Sequence, residues 1–424
     1  MDKNSLPKGF EYLKLDSLLK KTRLINSVIE NGKNINANIV EFPPVSFLST
    51  FTKGAEIVGE KIYSFQDRKG RNLVLTPDSL AHILNYYASS FDQSKQERFA
   101  WISPTFRYRN TASRFWLQLG FASVNYSASE SLFELALITR TLIKVIQQNT
   151  DITVSLRVIN PSLIKEVIAQ NLQNEYSSKN LFEKWRTSGF TEQIELFETE
   201  LFDGFHKEFL LHILRSGVTD HRNFTIEGIE GNYQELRNVK LFSDIVNFDE
   251  SIKLSVDLSS KHSSEITSGV SFIIEAEGEQ NIGDGGLYHH YASYFSDTIS
   301  TVASVCVGLG IMPLLKEVSS MLVFQRKVLV IFYESSTTDY ITALKLNDIL
   351  ISRGLCTSIY FVTSISRKII KKLSQKEKYR WCCIVEKNQD GKISGKLFQP
   401  DSDNSQQSFS AKTVSEFVEI FAQE

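Results

Sequence analysis

The sequence predicts an α+β protein: a core built on an antiparallel sheet, carrying a helical insertion, followed by a smaller α/β domain. Three observations carry this. Short strand-like segments occur in two blocks, before residue 125 and after residue 253. Between them, residues 160–245 repeat Phe, Leu and Ile every three or four positions, the period of a helix. After residue 326, apolar β-branched runs alternate with helix-period runs. A chain of 424 residues is also too long for one small core, at roughly 100–200 residues per domain. The expected division is 1–320 and 326–424, with the insertion inside the first part.

Taken in order, segments 38–42, 61–65, 72–75, 99–103 and 117–124 read as strands joined by turn-like stretches. Residues 130–147 read as one amphipathic helix, with Leu132, Leu135, Leu142 and Ile146 along its apolar face. A strand at 153–159 precedes the helical insertion. Strands resume at 253–258, 270–275 and 301–309. The run KVLVIFY at 327–333 is the signature of a strand buried on both faces. A helix at 337–352 follows, with Gly354 where it would stop. Then come a strand at 356–361, a basic helix around 367–375, strands at 380–385 and 392–398, and a helix at 414–421. The polar stretch 401–408 is the only low-complexity segment.

Composition narrows function by exclusion. Lys+Arg 47 against Asp+Glu 49 leaves a net charge of −2, so no global field drives the chain onto DNA or an anionic membrane. The N-terminus has no apolar core of a secretory signal, and no run approaches the roughly 20 apolar residues of a membrane helix. The expectation is a soluble, cytoplasmic protein. Cys306, Cys356, Cys382 and Cys383 lack C-x-x-C spacing and read as free thiols in a reducing compartment.

The motifs are sparse. Gly308-x-Gly310 lacks the third glycine of a dinucleotide fingerprint. Gly283-Asp284-Gly285-Gly286 reads as a turn, because no Lys-Ser/Thr follows to make a phosphate loop. His289 and His290 have no carboxylate or thiol at ligand spacing, so no metal site is expected. Lys368, Lys371 and Lys372 lie in a basic stretch with Tyr379 and Trp381, a solvated face or an RNA-contacting one. The most informative segment is FAWISPTFRYRN at 99–110. Its strand is expected to end at Pro104, with Arg107 and Arg109 on one face beyond it. A guanidinium held on a sheet can clamp a phosphate with two parallel hydrogen bonds.

These residues carry a resemblance. Phe106-Arg107-Tyr108, followed by Gln118-Leu119-Gly120, resembles motif 2 of class II aminoacyl-tRNA synthetases, in the histidyl-tRNA synthetase branch. Residues 39–47 (IVEFPPVSF) resemble motif 1, the stretch 284–288 resembles the family's GGGRYD segment, and 307–315 resembles motif 3. The domain after residue 326 is similar to the anticodon-binding domain of that branch. The resemblance implies a homodimer, an antiparallel catalytic core, and a pocket for ATP, Mg²⁺ and an amino acid. It places the nucleotide on Arg107, with Arg109 and Arg114 nearby, and the ligand on Asp78 and Gln118.

It also exposes departures. The adenine-reading Glu of motif 2 falls on Arg109, and the substrate-binding Glu that follows the Gln falls on Ala122. The catalytic Arg falls near His262, the GGRY Arg on Leu287, and the motif 3 Arg on Pro313. Adenylate formation brings a carboxylate to a triphosphate, so it depends on positive groups that neutralise developing charge. Losing one such clamp costs about 3–4 kcal/mol of transition-state stabilisation. Losing several together implies a synthetase fold that no longer ligates histidine to tRNA. It would act instead as a regulatory or assembly subunit of a biosynthetic enzyme, similar to the regulatory subunit of ATP phosphoribosyltransferase. The alternatives are a divergent ATP-dependent ligase for another amino or carboxylic acid, and a tRNA-binding module using Lys368, Lys371 and Lys372.

Overall fold

The computed structural model describes residues 6–7, 10, 15–52, 62–92, 95–108, 114–150, 152–172, 175–201, 204–220, 233–247, 252–262, 264–276, 280–309, 327–333, 356–362, 381–387, 393–398 and 406–411. The chain divides into two compact units, 1–318 and 319–424.

The first unit opens with helix α1 (Leu15–Asn34), for which sequence reading gave no signal. Strands β1 (Asn38–Glu41) and β2 (Val45–Phe47), the short helix α2 (Leu48–Thr52), and strands β3 (Ser64–Gln66) and β4 (Asn72–Leu75) follow. Helix α3 (Leu80–Ser90) then leads into the long hairpin β5 (Glu97–Phe106) and β6 (Phe115–Val124). Helix α4 (Ala128–Asn149) starts with a capping box, in which Glu130 reaches back to the Ser127 backbone. Strand β7 (Val154–Ile159) precedes the insertion: α5 (Pro161–Leu172), α6 (Glu175–Thr187), α7 (Phe190–Glu200), α8 (Gly204–Ser216), the two-residue strand β8 (Thr219–Asp220) and α9 (Gln234–Val246). The chain returns to the sheet with β9 (Lys253–Val256), β10 (Ser271–Ala276) and β11 (Gln280–Leu287). Helix α10 (His289–Ser293) and β12 (Val302–Leu309) complete the described part of this unit.

Among the described residues, the main sheet has the strand order β1-β5-β6-β12-β11-β10-β7-β9-β8. Only β1 with β5 and β7 with β9 run parallel; the other neighbours are antiparallel. Side chains alternate faces along each strand. Ala100, Ile102, Leu117, Leu119, Phe121, Ala303 and Val305 point to one face and are buried with Leu24 and Val28 of α1, Leu135 and Leu142 of α4, and the insertion helices. On the other face, Phe99, Trp101, Ala122, Val124 and Val302 pack against Ala81, Leu84 and Tyr87 of α3 and against Tyr291 and Ala292 of α10. A small sheet, β2-β4-β3, flanks this second cluster.

Two sequence expectations are corrected. Strand β5 does not end at Pro104 but runs through it to Phe106, which donates its N–H to the Thr76 carbonyl at 2.8 Å. The proline is tolerated because β1 pairs only as far as Ile102, so the missing N–H falls beyond the end of the neighbouring strand. The Gly283–Gly286 stretch is the middle of β11, not a turn. Its glycines answer to close packing: a Cβ at Gly285 would come within 2.8 Å of the Ser304 carbonyl oxygen, and one at Gly286 within 2.6 Å of the Ser271 Cβ.

The second unit is described by five strands: β13 (Lys327–Tyr333), β14 (Cys356–Val362), β15 (Trp381–Lys387), β16 (Ile393–Phe398) and β17 (Gln406–Ala411). Their order is β14-β13-β15-β16-β17, with a parallel core of three and two antiparallel additions. Strand β17 occupies part of the stretch read as low-complexity. The three helices expected in this unit lie outside the described residues.

Candidate functional site

One row of residues crosses four strands on the face opposite α1 and α4. Trp101 on β5 is in register with Gly120 on β6, Gly120 with Cys306 on β12, and Cys306 with Asp284 on β11. The Trp101 ring lies across Gly120, where a Cβ would stand 2.5 Å from ring carbon Cζ2 and 2.8 Å from Cε2. The neighbouring row holds Ser103 and Gln118. Glycine at 120 and 286 keeps this part of the sheet low, so that Gln118, Cys306 and Asp284 form a polar floor.

The floor side chains form a hydrogen-bonded chain. The Gln118 Oε1 accepts from Ser79 Oγ at 2.6 Å and from Thr105 Oγ1 at 3.0 Å, which turns its Nε2 towards Cys306 Sγ, 3.9 Å away. The Cys306 thiol donates to Asp284 Oδ1 at 3.5 Å. On the far side of Asp284, His262 Nε2 lies 3.5 Å from Oδ2 and makes no hydrogen bond among the described residues. The turn after β9 places this histidine: Asp257 accepts from Ser259, and the Ser260 Oγ accepts the His262 N–H.

Asp78 and Arg107 form the rim. Asp78 Oδ1 accepts the N–H groups of Leu80 and Ala81, capping the first turn of α3. Its other oxygen, Oδ2, faces Arg107 Nη2 at 3.2 Å, and Arg107 Nε donates to the Pro77 carbonyl at 2.8 Å. The same guanidinium lies 5.9 Å from the Trp116 ring centre. Burial is the main cause that raises the Tyr288 hydroxyl and the Cys306 thiol well above their ordinary values, and Asp284 and Asp78 push both further the same way. Both groups are therefore neutral at physiological pH. Tyr291 is raised for the same first reason. His289 starts α10 rather than sitting on a strand; its Nδ1 accepts the Val302 N–H at 3.0 Å, and burial lowers its pKa to about 4.

Of the residues the sequence singled out, Asp78, Arg107 and Gln118 come together here. Arg114 stands at the outer end of β6, with its guanidinium 4.2 Å from the Tyr108 ring centre and its carbonyl accepting the Arg107 N–H. Arg109, Lys368, Lys371 and Lys372 lie outside the described residues. Among the described residues, no group of three or more His, Cys, Asp or Glu side chains is placed to hold a metal ion. No described helix is long and apolar enough to cross a membrane. Sequence reading missed Ser79, Thr105 and Asp284 as site residues. The signal for Asp284 was a charged residue between glycines that a sheet could hold flat.

A family model described as histidyl-tRNA synthetase matches residues 37–307. The chain belongs to the histidyl-tRNA synthetase family. A histidine–tRNA ligase from Methanosarcina acetivorans is 25% identical over 292 residues, covering 63% of this chain and 65% of its own length. One from Mesomycoplasma hyopneumoniae is 29% identical over 112 residues, so that the match spans about a quarter of each protein. Among solved structures, histidyl-tRNA synthetase from Nostoc sp. shares 16% identity with a TM-score of 0.69, over 99% of both chains. A Bacillus halodurans protein described as ATP phosphoribosyltransferase regulatory subunit/histidyl-tRNA synthetase shares 16% identity with a TM-score of 0.72, over 88% of this chain and 96% of its own. At that identity these two establish the fold.

Proposed function

We propose that this family member no longer ligates histidine to tRNA and serves as a regulatory or assembly subunit, similar to the regulatory subunit of ATP phosphoribosyltransferase. The observation that carries the proposal is the burial of two positions. Where the family resemblance puts the substrate-binding Glu after Gln118, this chain has Ala122, fully buried in the cluster beneath α3. Where it puts the GGRY arginine, the chain has Leu287, buried in the other core. Neither position offers a charge to a ligand, and a single lost charged contact is worth about 1.5–3 kcal/mol. Arg107 remains, but it is tied to Asp78 and Pro77. The polar floor around Gln118 supports a retained small-molecule site, which a regulatory subunit needs.

The proposal includes a homodimer, and Ile39, Val45, Phe47 and Phe65 support it, standing 38–48% exposed along β1, β2 and β3. It also includes an anticodon-binding-like role for the unit after residue 318 and a cytoplasmic location. The test is to mix the purified chain with the catalytic subunit of ATP phosphoribosyltransferase from the same organism. Co-elution on size exclusion with a raised phosphoribosyl-transfer rate supports the reading. Separate elution with an unchanged rate overturns it.

A further inference from the structure

The segment between β9 and β10 meets the helical insertion at the turn between α6 and α7. It is anchored to the sheet at both ends. The Asp257 N–H donates to the Val158 carbonyl at 2.8 Å, and the Ser268 N–H to the Leu287 carbonyl at 2.8 Å. Ser268 Oγ also accepts the His290 N–H at 2.9 Å. Between these anchors the N–H groups of Ser259, Ser260, His262 and Ser264 bond within the segment itself, to Asp257, Asp257, Ser260 and Lys261.

Two of its side chains reach across to the insertion. Lys261 Nζ donates to the Ser188 carbonyl, just past the end of α6, and lies 5.9 Å from the centre of the buried Trp185 ring. A cation there also meets the negative end of the helix dipole. Glu265 Oε1 accepts from Arg186 Nη1 at 2.8 Å, and the same guanidinium is held by Glu183. The turn they grip is itself well bonded. The Ser188 N–H and Oγ both donate to the Lys184 carbonyl, the Gly189 N–H to Glu192 Oε2, and Gln193 Nε2 to the Trp185 carbonyl. Between the two grips stands His262, with Nε2 3.5 Å from Asp284 Oδ2. His262 Nε2 and Ser264 Oγ are buried and have no hydrogen-bond partner among the described residues. Such groups are costly to bury, so the middle of this segment depends for its position on the two grips.

We infer that Lys261 and Glu265 are positioning residues that strap the β9–β10 segment to the α6–α7 turn, forming a conformational link through which a movement of the insertion displaces His262 from Asp284. Coupling of this kind is reciprocal: loosening one end loosens the other by the same factor. The inference is independent of which molecule, if any, the polar floor holds.

The experiment combines native-state hydrogen exchange of the full chain, read by mass spectrometry, with NMR of isotope-labelled histidine, the His262 signal being assigned with His262→Gln. Lys261→Met keeps the aliphatic stem and removes the charge; it is expected to speed exchange over residues 259–268 about tenfold. Glu265→Gln, which breaks a more exposed pair, is expected to speed it about twofold. In both variants the His262 signal moves while those of the buried His82 and His289 stay. The decisive arm perturbs the insertion alone. Gln193→Ala, with Glu192→Gln as a second variant in case the first folds poorly, loosens the turn and is expected to move the His262 signal too; circular dichroism checks the fold of each. Unchanged exchange over 259–268 in both strap variants, or a His262 signal that stays in place when the turn is loosened, overturns the inference. A uniform rise in exchange across the first unit also overturns it, because the contacts would then stabilise the fold without linking the two places.

Discussion

Arg107 and Asp78 hold one another at the edge of the polar floor, Nη2 to Oδ2 at 3.2 Å, while Arg107 Nε donates to the Pro77 carbonyl. Both side chains are about 30% exposed, and ion pairs in that setting contribute little to stability, about 1 kcal/mol or less. Arg107→Ala is therefore expected to shift the urea midpoint only slightly. Asp78→Ala removes the cap of α3 as well and costs about 1 kcal/mol more. Equilibrium unfolding of the two variants side by side checks the order.

A larger effect is expected at Glu134. It is 3% exposed and takes two hydrogen bonds from Arg98, at 2.7 and 2.8 Å, and one from Ser123, at 2.8 Å, tying α4 to β5 and β6. Glu134→Ala leaves the Arg98 guanidinium without its carboxylate and should cost about 3–5 kcal/mol. Loss of less than about 1 kcal/mol in urea unfolding would show that the pair adds nothing the packing does not already supply.

Gly120 is where the Trp101 ring crosses from β5 towards β12. Gly120→Ala drives a methyl into that ring and into the Val305 carbonyl, both strand-held. The expected loss is about 1–3 kcal/mol or more, with altered tryptophan fluorescence from Trp101. Unchanged fluorescence and stability would mean that the ring moves aside freely.

Stability should fall on mild acidification. Burial lowers the pKa of His82 and of His289 to about 4, against about 6.5 for an unfolded histidine. The folded state thus favours the neutral rings, and between pH 6.5 and 4 the unfolded state binds more protons. Stability is fully present above the unfolded value and is lost as pH falls through that window, by up to about 3 kcal/mol per histidine. His82 stacks on Phe42 and meets Phe51 edge-on, so His82→Phe keeps the packing and should flatten part of the slope. An identical pH profile in wild type and variant would exclude His82 as a source.

Many of the strands were legible in the sequence because they are short apolar or β-branched runs, as at Asn72–Leu75 in the small sheet and Lys327–Tyr333 in the second unit. Helix α4 was legible for the same kind of reason, four apolar residues at helical spacing. Helix α1 was not, because its buried contribution includes Leu24 and Val28 within a polar, charged stretch. Strand β11 was hidden by glycines that ordinarily signal turns but here answer to the closeness of Ser271, Phe272 and Ser304. The site divided in the same way. Arg107 and Gln118 were marked by motif 2, whereas Ser79 and Thr105 join the polar floor through the start of α3 and the register of β5 with β6, which no local pattern encodes.

The proposed loss of histidine activation concerns one chemical step, and ATP–pyrophosphate exchange measures that step directly. The full chain with Mg-ATP and histidine is predicted to give no exchange above the protein-free background. Histidine-dependent exchange that disappears in the Arg107→Ala variant would contradict the account and return this chain to the working ligases.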